Sequence, residues 1–413
     1  MPTPRPWPQA VETVITTEAG LNLDPLIDIR MEALVQPGDT VALGRPVLKD
    51  RRRPELLVTA PMGGRVVQLE LGAGRRQASL LIQHDEKVRP HQFDVRDARR
   101  ECERGSGGPA LRDLLQASGM WMRFRSRPFG RVPAGYAVPA LIMVMAIDTK
   151  PLAPDPCLAL KGETLDHLKL GLQALATLFD GPIRFCQDDG PAIVEESDRI
   201  RIARAGPLHP AGLAGSFLRR EFRSGQNLNI WEISAEDVVG IGHLLSEGFL
   251  PATRLVSVAG PGLRETRLVR CQPGADLREL CHAHMKPGPH TILSGSALDG
   301  REARWLGWRA RQVTVLERRD TKPQPHWLES ALRRASRPEP VIATSAVEHA
   351  LGGAMPGMAL LRALAIGDDE TAAELGALSL LEEDLALVDY VTAASPRFAD
   401  LLRACLDRIE AMT

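Results

Sequence analysis

The run Ala140–Ile147 (ALIMVMAI) is the most apolar stretch of the chain and the one that most restricts its fold. It is bounded by Pro139 upstream and by Asp148-Thr149-Lys150-Pro151 downstream, so it reads as a strand buried on both faces with a loop at its carboxyl end. Burial on both faces requires packed elements above and below. In open α/β sheets the loops at strand carboxyl ends hold ligands, which makes the flanks of this strand candidate site loops. The upstream flank interleaves three arginines, Arg123, Arg125 and Arg127, with Trp121, Phe124 and Phe129.

The rest of the chain supplies the covering layers. The 413 residues, 44% of them hydrophobic, suffice for two to four domains with large cores. The net charge of −1 gives no global field that would draw the protein to nucleic acid or an anionic bilayer. The six cysteines, at 102, 157, 186, 271, 281 and 405, form no Cys-x-x-Cys pair, which fits a reducing cytoplasm and no disulfide framework. The proline-rich start lacks the apolar core of a signal peptide. The longest apolar run, Tyr136–Ile147, contains Pro139 and falls short of the ~20 residues a spanning helix needs. These features predict a chain that is soluble alone and meets membranes only through partners.

Residues 1–100 read as a compact β-domain: segments 35–50 and 56–71 alternate β-branched residues with Pro-Gly and Gly-Gly turns. The pattern resembles the barrel-sandwich of biotinyl and lipoyl carriers, but Lys49-Asp50-Arg51-Arg52-Arg53-Pro54 lacks the carrier's lysine motif and is expected to be a solvated loop tip. Residues 101–251 read as a Rossmann-like α/β unit. It has helices at 109–117 and 163–179, the latter capped by Gly181, strands at 182–187 and 199–206, and a helix opened by Ser234 with Asp237 and closed by Gly248. Short strands and a helix at 275–281 fill 252–318, a Pro-rich linker spans 319–340, and 341–413 is helical, with Asp368 and Ser395-Pro396 as start signals. The predicted class is thus a multidomain α+β and α/β protein.

Six segments together carry a family resemblance: SGMWMRFRSRPFGRVP (118–133), AIDTKPLAPDP (146–156), GPLHPAGLAG (206–215), IWEISAEDVVGIG (230–242), RLVSVAGPGL (254–263) and TILSGSALDG (291–300). In this order they resemble the A-subunit family of the sodium-translocating NADH:quinone oxidoreductase. The resemblance implies a barrel-sandwich, an α/β domain shared with the NADH-binding flavoprotein subunit of respiratory complex I, a soluble-ligand-binding β-grasp module and a helical tail. It also implies a six-subunit complex that passes electrons from NADH through flavins and iron–sulfur centres to ubiquinone and exports sodium. This chain would be peripheral, on the cytoplasmic face of the bacterial inner membrane, with NADH and ion sites on its partners.

Two departures bear on cofactors. Where the flavoprotein relatives place a glycine-rich loop that lets backbone amides reach the FMN phosphate, this chain has Arg123-Phe124-Arg125-Ser126-Arg127-Pro128-Phe129, whose side chains would fill that space. The tail segment 385–398 has no cysteine, whereas iron–sulfur clusters need thiolates. No flavin and no cluster are expected on this chain itself. Trp121, Arg125, Arg127 and Phe129 are then candidates either for a quinone headgroup, as donors and a flat wall, or for docking an acidic or backbone surface of a neighbouring subunit. His209, in a loop with an extra Leu208 relative to the family's Gly-Pro-His-Pro, is a candidate proton donor or a turn residue.

Other motifs fall short of a site. Cys281, His282 and His284 lack a second ligand pair for zinc, and Gly240-Ile241-Gly242 has Leu245 where a dinucleotide fingerprint needs its third glycine. No self-contained catalytic motif is present, so no catalysis by the isolated chain is expected. Two rival readings stand beside that of a peripheral member of a complex: a soluble NADH-oxidising flavoprotein, and a carrier or β-grasp module without electron-transfer partners.

Overall fold

The computed structural model describes residues 11–22, 30–72, 78–221, 229–318, 344–353 and 355–412. The expected linker at 319–340 lies outside the described residues.

The apolar run forms the strand Leu141–Met145 at the centre of a five-stranded sheet. It pairs in parallel with Ile183–Gln187 on one side and Ile230–Ser234 on the other. Ile200–Arg204 extends the sheet in parallel beyond the first, and Arg125–Arg127 closes the other edge antiparallel to Ile230–Ser234. Alternation along the central strand divides its burial between two cores. Ile142 and Val144 face the core built with helices Glu163–Leu178 and Ala235–Glu247, while Leu141 and Met143 face Phe217 and Leu218 of helix Ala214–Glu221.

Helix signals held where a side chain caps the backbone. The Ser234 hydroxyl accepts from the Asp237 amide at 3.1 Å, and Gly248 closes that helix in the left-handed conformation. Asp368 likewise caps Asp369–Glu374. The helix expected to end at Gly181 stops instead at Leu178: Phe179 turns extended and sends its ring into the core, 5.0 Å from Trp231.

The amino-terminal β structure consists of a four-stranded sheet (Glu18–Asn22, Ala78–His84, Gly64–Leu71, Thr40–Val41) over a three-stranded one (Met31–Ala33, Pro46–Asp50, Leu57–Thr59). Its core runs without a break into that of the five-stranded sheet. The loop tip at 49–54 is not simply solvated. Asp50 is fully buried and accepts from the Arg53 Nε at 2.9 Å, and Arg53 reaches the Val132 carbonyl at 3.0 Å. Exposure in that run is confined to Arg51, Arg52 and Pro54.

The third sheet holds Arg267–Cys271, Arg254–Ala259, Gln312–Glu317, His290–Ser294 and Arg301–Glu302, with helix Leu277–Cys281 against it. Its outermost strand is Glu12–Thr13, paired in parallel with Val269 and Arg270, so the first described residues belong to this sheet and not to the barrel. The carboxyl-terminal helices, among them Gly357–Ile366, Ala386–Thr392 and Phe398–Met412, enclose a core of their own.

Candidate functional site

The sequence-selected residues fall in two different environments. Trp121 is fully buried, its Nε1 donating to the Pro133 carbonyl at 3.0 Å, in a cluster with Phe124, Phe179 and Trp231 whose centroids lie 5.0–6.2 Å apart. Such spacing is that of edge-to-face core packing. The expected flat wall for a headgroup is therefore core. Phe129 packs against the carboxyl-terminal helical core, and its carbonyl accepts from Arg403 at 2.9 Å.

Arg125 and Arg127 point to the same side of the edge strand and meet carboxylates of the same chain. Arg127, with 1% of its side chain exposed, donates to Glu232 Oε2 at 2.9 Å, Asp384 Oδ2 at 3.0 Å and the Ser379 carbonyl at 2.9 Å. Arg125 binds Glu383 at 2.6 Å and stands within 3.5 Å of Glu382 and Glu232. Asp384 and its neighbours lie on the turn Glu382–Leu385, so the two arginines fasten the helical region to the edge of the central sheet. Gly215 leaves room for this: a Cβ there would fall on the Asp384 carboxylate. Burial opposes the charge of both arginines, but the surrounding carboxylates outweigh it and hold their pKa above the ordinary guanidinium value. Burial likewise works against ionised Glu383, yet Arg125, Lys150 and Arg127 hold its carboxyl well below the usual range. The acidic surface expected on a neighbouring subunit is thus supplied by this chain.

The loops at the strand carboxyl ends converge on Lys150. Its ammonium meets Asp299 of the third sheet's loop at 2.9 Å, and the Thr149 hydroxyl lies 3.3 Å from His209 Nδ1. The same hydroxyl accepts from the Gly212 amide at 3.1 Å, tying loop 146–156 to loop 206–213. Burial, reinforced by the charge on Lys150, lowers the His209 pKa, so this imidazole is neutral at pH 7. Leu208 beside it is 73% exposed. Loops from three regions of the chain therefore meet at the sheet's carboxyl end through one ion pair and the hydrogen bonds of Thr149.

Cys281 is buried and His284 turns away to pair with Glu265 at 2.9 Å; among the described residues no three His, Cys, Asp or Glu are placed to hold a metal ion. A further cavity lies elsewhere, between the barrel, the helix pair and the third sheet. It is a cleft of about 760 Å³ reached by Met120, Arg123, His167, Gly240, His243 and Trp308. Only Gly240-Ile241-Gly242 and the interleaved Arg123 had drawn notice in the sequence. The histidines stand alone at helical spacing, and no local pattern joins them.

Three family models match in succession: the NqrA N-terminal barrel-sandwich hybrid domain over residues 4–85, the NqrA second alpha/beta domain over 108–250 and the NQRA C-terminal domain over 255–304. Curated relatives match almost end to end. The A-subunit of the Na(+)-translocating NADH-quinone reductase of Actinobacillus pleuropneumoniae is 34% identical, covering 93% of this chain and 91% of its own. The proteins of the same name from Histophilus somni and Saccharophagus degradans are 32% and 33% identical, covering 95% and 91% of this chain and 93% and 90% of their own. A solved NAD+-reducing [NiFe]-hydrogenase chain overlaps 75% of this chain and 62% of its own at a TM-score of 0.36 and 12% identity, too slight a likeness to carry an argument.

Proposed function

Because the chain belongs to the A-subunit family of the Na+-translocating NADH-quinone reductase, we propose that it is a peripheral subunit of such a complex and supports its reduction of ubiquinone coupled to sodium export. The single observation that carries this reading is the match over more than nine-tenths of the chain, through three successive domains in family order. A peripheral place accords with the described helices, none of which is long and apolar enough to cross a membrane. In this reading the chain lies on the cytoplasmic face, beside the membrane subunits of a six-subunit assembly, and the flavins, iron–sulfur centre and NADH site are carried by its partners.

The packing of Arg123 to Phe129 supports assigning the flavin elsewhere. In the sequence resemblance this segment stands opposite the flavoproteins' glycine loop, and each of its arginines is engaged by carboxylates or carbonyls of this chain. The division into a barrel-sandwich (1–100, less the strand Glu12–Thr13, which pairs in the third sheet), an α/β unit akin to the complex I flavoprotein (101–251), a β-grasp module (252–318) and a helical region (341–413) belongs to the same proposal. Quinone contact, if made by this chain, falls to the loops around His209 and not to Trp121.

The test uses membranes holding the other subunits with and without this chain. Adding it back should restore ubiquinone reduction and sodium uptake into inverted vesicles, while NADH oxidation by an artificial acceptor stays unchanged. Equal ubiquinone reduction without it would refute the proposal, and stoichiometric flavin on the purified chain would favour the flavoprotein reading.

A further inference from the structure

The outer strands of the larger sheets are not treated alike. On the central sheet, strand Ile200–Arg204 is closed by side chains of this chain: Ser197 Oγ and Glu196 Oε1 accept from the Ile200 and Ile202 amides at 3.1 and 2.9 Å, and Arg220 donates to the Arg204 carbonyl at 3.3 Å. At the opposite edge the Ser126 amide donates to the Arg131 carbonyl at 2.8 Å, and the Ser126 carbonyl accepts from the Gly130 amide at 2.7 Å. One edge of the third sheet is the two-residue strand Arg301–Glu302, both of whose side chains are charged. Covering, shortness and charge are the usual means of keeping an edge from pairing with another chain.

The other edge of the third sheet, at Glu12–Thr13, is left open. In its parallel register with Val269 and Arg270, the Val14 amide donates to the Arg270 carbonyl at 2.8 Å. Backbone groups alternate in direction along a strand, so those of Glu12 and Val14 face the sheet and those of Thr13 and Ile15 face away from it. Among the described residues nothing hydrogen-bonds to the amide or carbonyl of Thr13 or Ile15. The segment Val11-Glu12-Thr13-Val14-Ile15 is almost entirely β-branched, the composition of a strand and not of a loop. Val14 packs on the core of the third sheet, while Val11 and Ile15, on the opposite face, are 41% and 40% exposed. The open stretch ends at Thr16 and Thr17, whose amides turn to Gln272 Oε1 at 3.2 Å and Glu279 Oε2 at 2.9 Å.

The register also sets the charge that such an edge favours. Thr13 stands directly across from Arg270, so their side chains share the face that carries Val11 and Ile15. The half-buried Arg270 guanidinium forms no ion pair among the described residues. A row of unpaired amides and carbonyls is met in full only by another extended backbone, which gains affinity from main-chain bonds and specificity from alternate side chains.

From this arrangement we infer that the edge takes up a strand from another subunit. That segment lies along Val11–Ile15, is β-branched or apolar at alternate positions, and carries a carboxylate on the face toward Arg270. The inference rests on the reading of this chain as a peripheral subunit of a complex. A second copy of the chain fits less well: antiparallel pairing about Thr13 would set both Arg270 side chains on one face and bring a carboxylate to neither.

Amide exchange of the full chain, free and bound to membranes that hold the other subunits, tests this. Thr13 and Ile15 should exchange freely in the isolated chain and about tenfold or more slower once bound. Thr13→Pro removes only an outward amide, so it should keep the melting temperature and weaken binding to those membranes by about tenfold or more. Ile15→Lys, which leaves the backbone intact and charges the edge, should weaken it likewise. Binding with both amides still exchanging freely, or unchanged binding by both variants, would overturn strand addition and leave the peripheral reading standing. No binding by the unaltered chain would refute that reading and this inference with it. Protection of the same amides in the isolated chain, rising with its concentration, would give the edge to a second copy and overturn the inference.

Discussion

Arg127 joins the edge of the central sheet to the helical region through Asp384 and the Ser379 carbonyl, while also holding Glu232 of the neighbouring strand. Replacing a buried cation while leaving its carboxylates in place costs roughly 3–5 kcal/mol. Arg127→Leu is therefore expected to loosen the helices Ala386–Thr392 and Phe398–Met412, seen as faster amide exchange there with little change in the barrel. Unchanged protection would show that apolar contacts alone hold the helical region. The sequence marked Arg125 and Arg127 as residues needing acidic partners. It did not show that the partners lay in the same chain, because Glu232 and Asp384 stand 105 and 257 positions from Arg127 and no local pattern links them. A second prediction concerns pH. Burial depresses His209 and His243 below 6.5, so the unfolded chain takes up protons first and stability falls as pH drops below about 6.5. His209→Gln with His243→Gln should flatten the denaturation midpoint between pH 6.5 and 5.5. A slope unchanged by both substitutions would remove the two histidines from the account.

The helix pair Glu163–Leu178 and Ala235–Glu247 shows which elements a sequence can define. Ser234, Asp237 and Gly248 set one helix within a residue because each acts on its own backbone. The closeness of the crossing was not legible, since it depends on Gly171 facing Val238 and Gly242 facing the His167 carbonyl across the interface. Adding a methyl group at such a contact should cost about 1–3 kcal/mol. Gly242→Ala is thus expected to lower the melting temperature. Gly240→Ala, two positions away, would meet only the flexible end of Met120 at 3.2 Å and Pro251 at 3.6 Å, so it should cost less than Gly242→Ala, the more so because alanine is favoured over glycine in a helix by about 1 kcal/mol. Equal effects at the two positions would mean that the glycines do not have separate roles.

At the scale of the whole molecule, the order of units was legible from turn chemistry and periodicity, while their interlocking was not. The barrel and the central sheet share one core, and the helical region keeps its own and is attached by ion pairs. Acid should therefore separate them unequally. Glu383, held below its ordinary value by the net pull of Arg125, Lys150 and Arg127 against burial, gives stability that is complete above about pH 4.5 and is lost as pH falls toward its folded value. The helical region should lose protection before the barrel and central sheet do, as read by amide exchange across that range. Simultaneous loss would indicate a single cooperative unit.

The strand Glu12–Thr13 has a consequence in time. Its partners at Val269 and Arg270 leave the ribosome more than 250 residues later, and at typical synthesis rates that is an interval of about 10–50 s. Throughout it the first edge of the third sheet waits unpaired while the barrel behind it can already close. The beginning of this chain is thus among the last parts to find its place, and whatever protects a nascent edge from the wrong neighbour must protect this one.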